Sequence, residues 1–248
     1  MRALLLALLL LLTGCSAQAA TPDSPLLVAA ASDLQPAFEE LGREYEQRTG
    51  RPVTFTFGSS GQLAEQLKNG APYEVFASAS VRYVEEVLRA GRGDPGSQAD
   101  YARGRLAVWT PDEPAALPDL ASPRFRRIAI ANPEHAPYGV AAREALVSTG
   151  LLPTVRDRLV YGENVSDALR LATSGNADAA VVALSLARAR PGGSWTEVPA
   201  DAHAPLRQAL LVTADPGRRP AAQAFADLVT GAAGQAVLAR YGFAPPSR

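Results

Sequence analysis

Short apolar runs suited to buried strands alternate with amphipathic helical segments, and this alternation limits the fold more than any other feature of the chain. In the first half the pattern predicts strands at 26–31, 53–57 and 74–78, and helices at 34–48, 61–68 and 80–90. Strands that alternate with helices in this way form βαβ units, whose strands run parallel. The sequence therefore predicts an α/β fold.

A second series of the same kind runs from about 119 to 200. The segment 103–114 predicts a strand that leaves the first group of elements, and 207–215 predicts a strand that returns to it. The helices of 219–240 are expected to pack back on the first group. Two crossings of the chain predict two lobes joined by a hinge. Since α/β folds bind ligands outside the carboxyl ends of their strands, the binding cleft is expected between the lobes.

Two serines, Ser32 and Ser60, each lie where a predicted strand gives way to a helix. The start of a helix has unpaired backbone N–H groups and a partial positive charge, so it attracts anions. A serine hydroxyl adds a donor there without a counter-charge. Serine is also a favoured N-cap, and Ser59 with Gln62 fits a capping box, so capping alone explains either junction. The GSSG sequence at 58–61 also resembles a flexible linker.

Two junctions of the second half show the same order of strand, polar loop and helix. Their helices are expected to open with Pro137, Tyr138 and Gly139 in one case and with Asn164 as N-cap in the other. The apolar face of the first of these helices is expected to include Val140 and Leu146. Neither loop has an obvious side-chain donor, so any contribution would come from backbone N–H groups. Four helix starts, two from each half, are therefore predicted to converge on one anion.

Six segments, spread in order over nearly the whole chain, point to one family. They are AAASDL (29–34), FGSSGQLAEQL (57–67), GAPYEVFASAS (70–80), IANPEHAPYGVAAREAL (130–146), ENVSDAL (163–169) and QAVLARYGF (235–243). Together they resemble the molybdate-binding proteins of ABC importers, a periplasmic or lipid-anchored solute-binding family. The resemblance implies a type II periplasmic-binding-protein fold, in which each lobe is a mainly parallel sheet flanked by helices. With boundaries that rest partly on this resemblance, lobe 1 is assigned to 25–106 and 213–248, and lobe 2, including the crossover strands, to 107–212.

The resemblance also implies which residues bind the ligand. In that family the oxyanion is held by hydroxyls and amides of two serines and by amides from two loops of the other lobe. Residue by residue, these roles fall on Ser32 and Ser60, and on the backbone amides of Tyr138 and Val165. Ser59 is a further candidate.

Two positions raise questions about this site. Some members of the family add a tyrosine hydroxyl from the strand after the fourth helix, and the aligned position here is Ala183, which leaves one donor fewer. Ala183 is kept as a candidate ligand-binding position. Asp33 follows Ser32 directly; its carboxylate suits the first turn of a helix, but pointed inward it would repel a dianion.

The first residues predict export. The apolar run after Arg2 is shorter than a membrane-spanning helix and has the charged start of a secretory signal. LTGC at 12–15 resembles the bacterial lipobox, so residues 1–15 are interpreted as a signal with lipidation at Cys15, and 16–24 as a flexible tether. The alternative is an ordinary signal cut near 17–19, which would discard Cys15. Cys15 is the only cysteine and can form no internal disulfide or metal site.

Composition and motifs exclude several classes of function. The net charge is −1, so nothing indicates nucleic acid as a partner, and there is no second apolar run long enough to span a membrane. His135 and His203, the only histidines, do not have the spacing of a triad or a metal site, and His135 is interpreted as a surface residue. GSSG lacks the lysine of a phosphate-binding loop, and no G-x-S-x-G elbow is present. We therefore expect a binding protein rather than an enzyme, with no cofactor and no directly bound cation.

The function that the resemblance implies is capture of molybdate, and of tungstate with it, by closure of two lobes. The anion would then pass to an ABC permease in the inner membrane. The protein is expected to be a monomeric lipoprotein of the periplasm or cell surface. Other tetrahedral oxyanions (sulfate, phosphate or phosphonate) and the role of a lipid-anchored anion sensor remain as alternatives.

Overall fold

The structure, a computed structural model, describes residues 24–246. The predicted signal, Cys15 and all of the predicted tether except Ser24 lie outside these residues. Within the described part of the chain, no helix is both long enough and apolar enough to cross a membrane.

Two five-stranded sheets organise the molecule. The strands of the first are β1 (Leu26–Ala31), β2 (Val53–Gly58), β3 (Val75–Ser78), β4 (Ala99–Gly104) and β10 (Leu206–Val212); those of the second are β5 (Leu106–Thr110), β6 (Ile128–Ala131), β7 (Leu159–Gly162), β8 (Ala179–Ala183) and β9 (Ser194–Glu197). Their orders are β2-β1-β3-β10-β4 and β7-β6-β8-β5-β9. β1, β2 and β3 pair in parallel, as do β6, β7 and β8. These pairings confirm the predicted α/β class.

One strand in each sheet runs against the others. β10 is antiparallel to β3 and β4, and β5 is antiparallel to β8 and β9. These are the strands by which the chain enters each lobe from the other one, so they are not preceded by a crossover helix that would turn them parallel.

Helices cover the faces of both sheets. In the first lobe they are α1 (Gln35–Thr49), α2 (Ser60–Lys68), α3 (Val81–Arg89), α8 (Arg219–Thr230) and α9 (Ala232–Arg240); in the second they are α4 (Pro137–Ser148), α5 (Leu152–Val155), α6 (Val165–Thr173) and α7 (Leu184–Ala189). The predicted helices of the first lobe are therefore present, with ends that differ by one or two residues. Leu146 is fully buried as expected, but Val140 is 40% exposed, so its assignment to the apolar face is wrong.

Aromatic packing joins the helices of the first lobe to its sheet. The ring of Phe38 in α1 lies 6.0 Å from that of Phe55 in β2 and 5.8 Å from that of Phe225 in α8. α1 ends at Gly50, which adopts a φ of 72°, a left-handed conformation that glycine reaches without strain. This packing fixes α1, whose start lies beside the cleft, against the sheet.

The chain crosses between the lobes at two unequal links. Only Arg105 separates β4 from β5, whereas residues 198–205 connect β9 to β10. The predicted boundary placed residues up to 212 in lobe 2. Because β10 hydrogen-bonds to β3 and β4 as soon as it leaves the crossing, it belongs to the first lobe, and the boundary lies before Leu206.

Candidate functional site

The two lobes meet around a small cavity. Its walls come from the carboxyl ends of strands and the starts of helices in both lobes: Ala31, Ser32, Asp33, Gly58, Ser59, Ser60 and Ala79 from the first, and Ala136, Pro137, Tyr138, Asn164 and Val165 from the second. The candidates Ser32, Ser59, Ser60, Tyr138 and Val165 are therefore brought together. Within residues 24–246 no group of three or more His, Cys, Asp or Glu side chains could hold a metal ion.

The hydroxyls of Ser32 and Ser60 are buried and already accept hydrogen bonds. Ser60 Oγ accepts from the backbone N–H of Ala79 at 3.0 Å, and Ser32 Oγ accepts a longer bond, 3.4 Å, from the N–H of Ser166. A hydroxyl has one hydrogen and two lone pairs. Because backbone N–H groups occupy an acceptor position on each oxygen, both hydroxyls have a hydrogen left to donate at the cavity wall.

Ser59 has a different role from its neighbour. It is the N-cap of α2, but its hydroxyl donates to the carbonyl of His135 in the other lobe at 2.6 Å and makes no capping bond. Gln62, its partner in the predicted capping box, instead donates to the carboxylate of Glu163 across the cleft at 3.0 Å. The capping box is therefore not formed, and both side chains connect the lobes.

The second lobe offers backbone donors at two helix starts. Tyr138 follows Pro137, the first residue of α4, and since proline has no N–H, the amide of Tyr138 is the first donor of that helix. Val165 is the first residue of α6, whose N-cap Asn164 accepts from the N–H of Asp167 at 3.1 Å. The first N–H groups of a helix have no acceptor within it. Both amides can therefore serve a ligand in the cavity.

Ala183 does not reach this cavity. It is the last residue of β8, is fully buried, and lies opposite Leu106 of β5 in the sheet. It is not among the residues that line the cavity wall.

His135 holds the lobes together. Its carbonyl accepts from the Ser59 hydroxyl and, at 3.0 Å, from the N–H of Gly61, and its Nδ1 lies 2.9 Å from Ser59 Oγ. The residue is half-buried at the cleft, so the interpretation of His135 as a surface residue missed an inter-lobe contact.

Two further serines of the second lobe, Ser166 and Ser185, donate to main-chain carbonyls of the turn that contains Ser32.

Behind Ser32 lies a buried polar network that sequence reasoning did not find. Gln208 of β10 donates to Asp33 Oδ2 at 2.7 Å and accepts from the Tyr101 hydroxyl at 2.8 Å, and the Tyr138 hydroxyl lies 3.3 Å from Gln208 Nε2. Asp33 lies in the first turn of a short 3-10 helix, Ser32–Leu34, as expected, and its carboxylate is fully buried against Gln208. Burial raises the pKa of Asp33 to about 6, an effect reduced by the hydrogen bonds from Gln208 and Tyr138. The available signal was an amide side chain, Gln208, which follows Arg207 in a strand whose other residues are apolar.

Comparison with known proteins gives this arrangement a class. Residues 26–244 match the family described as bacterial extracellular solute-binding proteins, and the chain belongs to that family. Within it, the chain is 34% identical to the molybdate-binding protein ModA of Rhodobacter capsulatus, over 88% of this chain and 87% of the relative. It is 29% identical to the putative ABC transporter substrate-binding lipoprotein YvgL of Bacillus subtilis, over 94% and 93% of the two chains.

A solved structure agrees with the sequence relatives. The periplasmic molybdate-binding protein of Azotobacter vinelandii superposes with a TM-score of 0.83 at 33% identity, covering 90% of this chain and all of that one. The two-lobed fold and the family resemblance predicted from the sequence are thereby confirmed.

Gly61 provides a test of lobe closure. A Cβ at this position would lie 2.7 Å from the carbonyl oxygen of His135 in the opposite lobe. It would also lie 2.9 Å from the Tyr83 hydroxyl, at the end of a side chain that can move aside. The φ of Gly61 is not positive, so alanine suits the helix and only the closed form is obstructed.

Gly61→Ala is expected to weaken ligand binding by about 1–3 kcal/mol, roughly 5- to 150-fold in Kd, without lowering the melting temperature of the ligand-free protein, because alanine favours the helix. Calorimetric titration and thermal unfolding measure the two quantities. Gly217→Ala is the matched control, because nothing lies within 4 Å of a Cβ there, and neither quantity should change. Unaltered affinity of the Gly61 variant would show that the closed arrangement is not the binding form.

Proposed function

We propose that this chain is an extracytoplasmic solute-binding protein of an ABC importer that captures molybdate, and tungstate with it, and delivers it to a membrane permease. The observation that carries the proposal is the pair of buried hydroxyls of Ser32 and Ser60 at the wall of the cavity. Each hydroxyl oxygen accepts a hydrogen bond from a backbone N–H, and two opposing helix starts complete the cavity. The relatives named as molybdate-binding proteins support the choice of anion.

A tetrahedral dianion suits such a site. Removing a charged group from water costs a large free energy unless hydrogen bonds replace those of the solvent. A hydrogen bond to a charged group contributes roughly 1.5–3 kcal/mol net, so the hydroxyls of Ser32 and Ser60 and the amides of Tyr138 and Val165 contribute substantially to binding. Donors come from both lobes, and only the closed form offers all of them to one anion. Binding therefore shifts the population toward closure, which a permease can recognise.

The site supports binding rather than catalysis. His135 lies at the cleft with its Nδ1 2.9 Å and its carbonyl oxygen 2.6 Å from Ser59 Oγ, and these contacts connect the lobes. Among residues 24–246 no carboxylate hydrogen-bonds to the ring, so the third group that orients a histidine base in a triad is missing. We expect no turnover of esters or phosphates and no cofactor, and we expect a monomer, since one chain supplies both halves of the site.

We further propose that the protein acts in the periplasm or at the cell surface, anchored through a lipid on Cys15. The LTGC sequence at 12–15 supports this anchor, and so does the relative from Bacillus subtilis that is named as a lipoprotein.

The direct test of the function is calorimetric titration of the mature protein with molybdate, tungstate, sulfate and phosphate. We expect one-to-one binding of molybdate and tungstate, with sulfate and phosphate much weaker. Binding of sulfate or phosphate instead would show that the cavity is an anion site but that its ligand is not molybdate. Absence of binding for all four anions would contradict the proposal and would leave the two serines with a structural role only.

Ser60→Ala removes one of the two hydroxyl donors and is expected to weaken molybdate binding by about 1–3 kcal/mol, roughly 5- to 150-fold. Ser97→Ala is the matched control. Ser97 is also a buried serine whose oxygen accepts from a backbone N–H, that of Val212, but it does not line the cavity. The control should lose stability in thermal unfolding while keeping its affinity for molybdate. Equal affinities of the two variants would show that the Ser60 hydroxyl does not bind the anion.

Cys15→Ala tests the anchor. The variant is expected to leave the membrane fraction or to remain unprocessed, because no thiol is available for lipidation. Cell fractionation with mass spectrometry of the N-terminus measures both outcomes. A variant that stays on the membrane and is cut at the same position would contradict the lipobox interpretation.

A further inference from the structure

Asp33 lines the anion cavity and holds a carboxyl without a balancing charge in the buried network behind Ser32. Asp33 is the residue after Ser32, and its side chain is fully buried. Its Oδ2 accepts from Gln208 Nε2 and the Tyr138 hydroxyl lies near the carboxyl, but Oδ1 has no hydrogen bond of good geometry among residues 24–246. None of the ion pairs in this part of the chain includes Asp33.

The titratable groups nearest to Asp33 stay neutral. They are the hydroxyls of Tyr138 on α4 and Tyr101 on β4, and burial raises the pKa of each well above 10. Gln208 on β10 carries no charge. The pKa of Asp33 itself is raised to about 6 by burial, so the carboxyl changes charge close to neutral pH.

Charged residues on the other elements around the turn of Ser32–Leu34 are engaged elsewhere. On α6, Asp167 pairs with Arg170; on α7, Arg188 lies over the ring of Trp195. On α1, Glu39 accepts from Gln35, Glu40 and Glu44 pair with Arg240 and Arg48, and Arg43 and Glu46 are exposed to solvent. β2 has no charged residue. No cation on these elements therefore offsets the carboxylate at the cavity.

We propose that capture of a tetrahedral dianion by this site is coupled to the uptake of one proton by the carboxyl of Asp33. The inference rests on the proposed function. An ionised carboxylate buried next to the cavity repels a dianion in it, because the low local dielectric strengthens the interaction between like charges. A proton taken from solvent removes that repulsion, and it returns to solvent when the anion leaves. The expected position of the proton is Oδ1, since Oδ2 already accepts from Gln208.

The coupling fixes the sign of the pH dependence. Below a pH of about 6, the pKa of Asp33, the carboxyl is already protonated and the affinity is at its plateau. Above that pH the binding of each dianion takes up a proton from solvent, so the Kd rises by up to tenfold per pH unit. The increase ends at the still higher pKa that Asp33 has beside the bound anion.

The number of protons taken up is measured directly by calorimetry. Molybdate is titrated into the mature protein at pH 7.5 in buffers of different ionisation enthalpy, and the slope of the observed enthalpy against the buffer enthalpy gives the protons bound per anion. We expect a value close to one for the wild-type protein and close to zero for Asp33→Asn, whose amide oxygen can still accept from Gln208. The variant should also bind molybdate with a Kd that changes little between pH 6 and 8.

A charge control separates the loss of this carboxyl from a general change in net charge. Asp157→Asn removes one negative charge from an exposed position, 91% accessible, and should keep the wild-type uptake.

Molybdate binding without proton uptake by the wild-type protein would overturn the coupling and leave the proposed function standing. Uptake that persists in Asp33→Asn would overturn the assignment to Asp33. No molybdate binding at any pH from 5.5 to 8.5 would overturn both proposals. The wild-type stoichiometry decides the first question even if the variant does not fold.

Discussion

Backbone N–H groups in the first turn of a helix have no partner inside that helix, and the site depends on this constraint. In βα units the helix starts follow the carboxyl ends of the strands, so each sheet presents its unpaired donors at one edge. When two such sheets face each other, the donors of α2, α4 and α6 and of the turn at Ser32 surround one small volume. Serine fits these junctions because it satisfies neighbouring N–H groups and retains a hydrogen of its own.

The parts of the fold that follow from local periodicity could be predicted from the sequence. The apolar run of β1 and the helical spacing of leucines in α2 are properties of adjacent residues, and they locate both serine junctions. The family resemblance then extended the prediction to the amides of Tyr138 and Val165, which line the same cavity. The lobe boundary was harder, because the sheet that accepts β10 depends on pairing with β3 and β4, which are distant in the sequence.

Contacts that exist only between the lobes could not be predicted. Ser59 and Gln62 fit a capping box by spacing, yet their partners, His135 and Glu163, come from the other lobe. Likewise, nothing local to Asp33 shows that Gln208, 175 positions away, will bind its carboxyl. Local preference at these positions is worth about 1 kcal/mol, and a cross-cleft hydrogen bond of similar strength is enough to override it.

The two links between the lobes differ in length, and this difference limits how the molecule can open. With Arg105 alone between β4 and β5, the sheets cannot separate at that point and can only rotate around it. The longer link of residues 198–205 can change its end-to-end distance and so follow the rotation. We therefore expect opening to be a rotation of one lobe about a pivot at Arg105. A motion restricted in this way loses little entropy on closing, so more of the free energy of the hydrogen bonds remains available to hold the ligand.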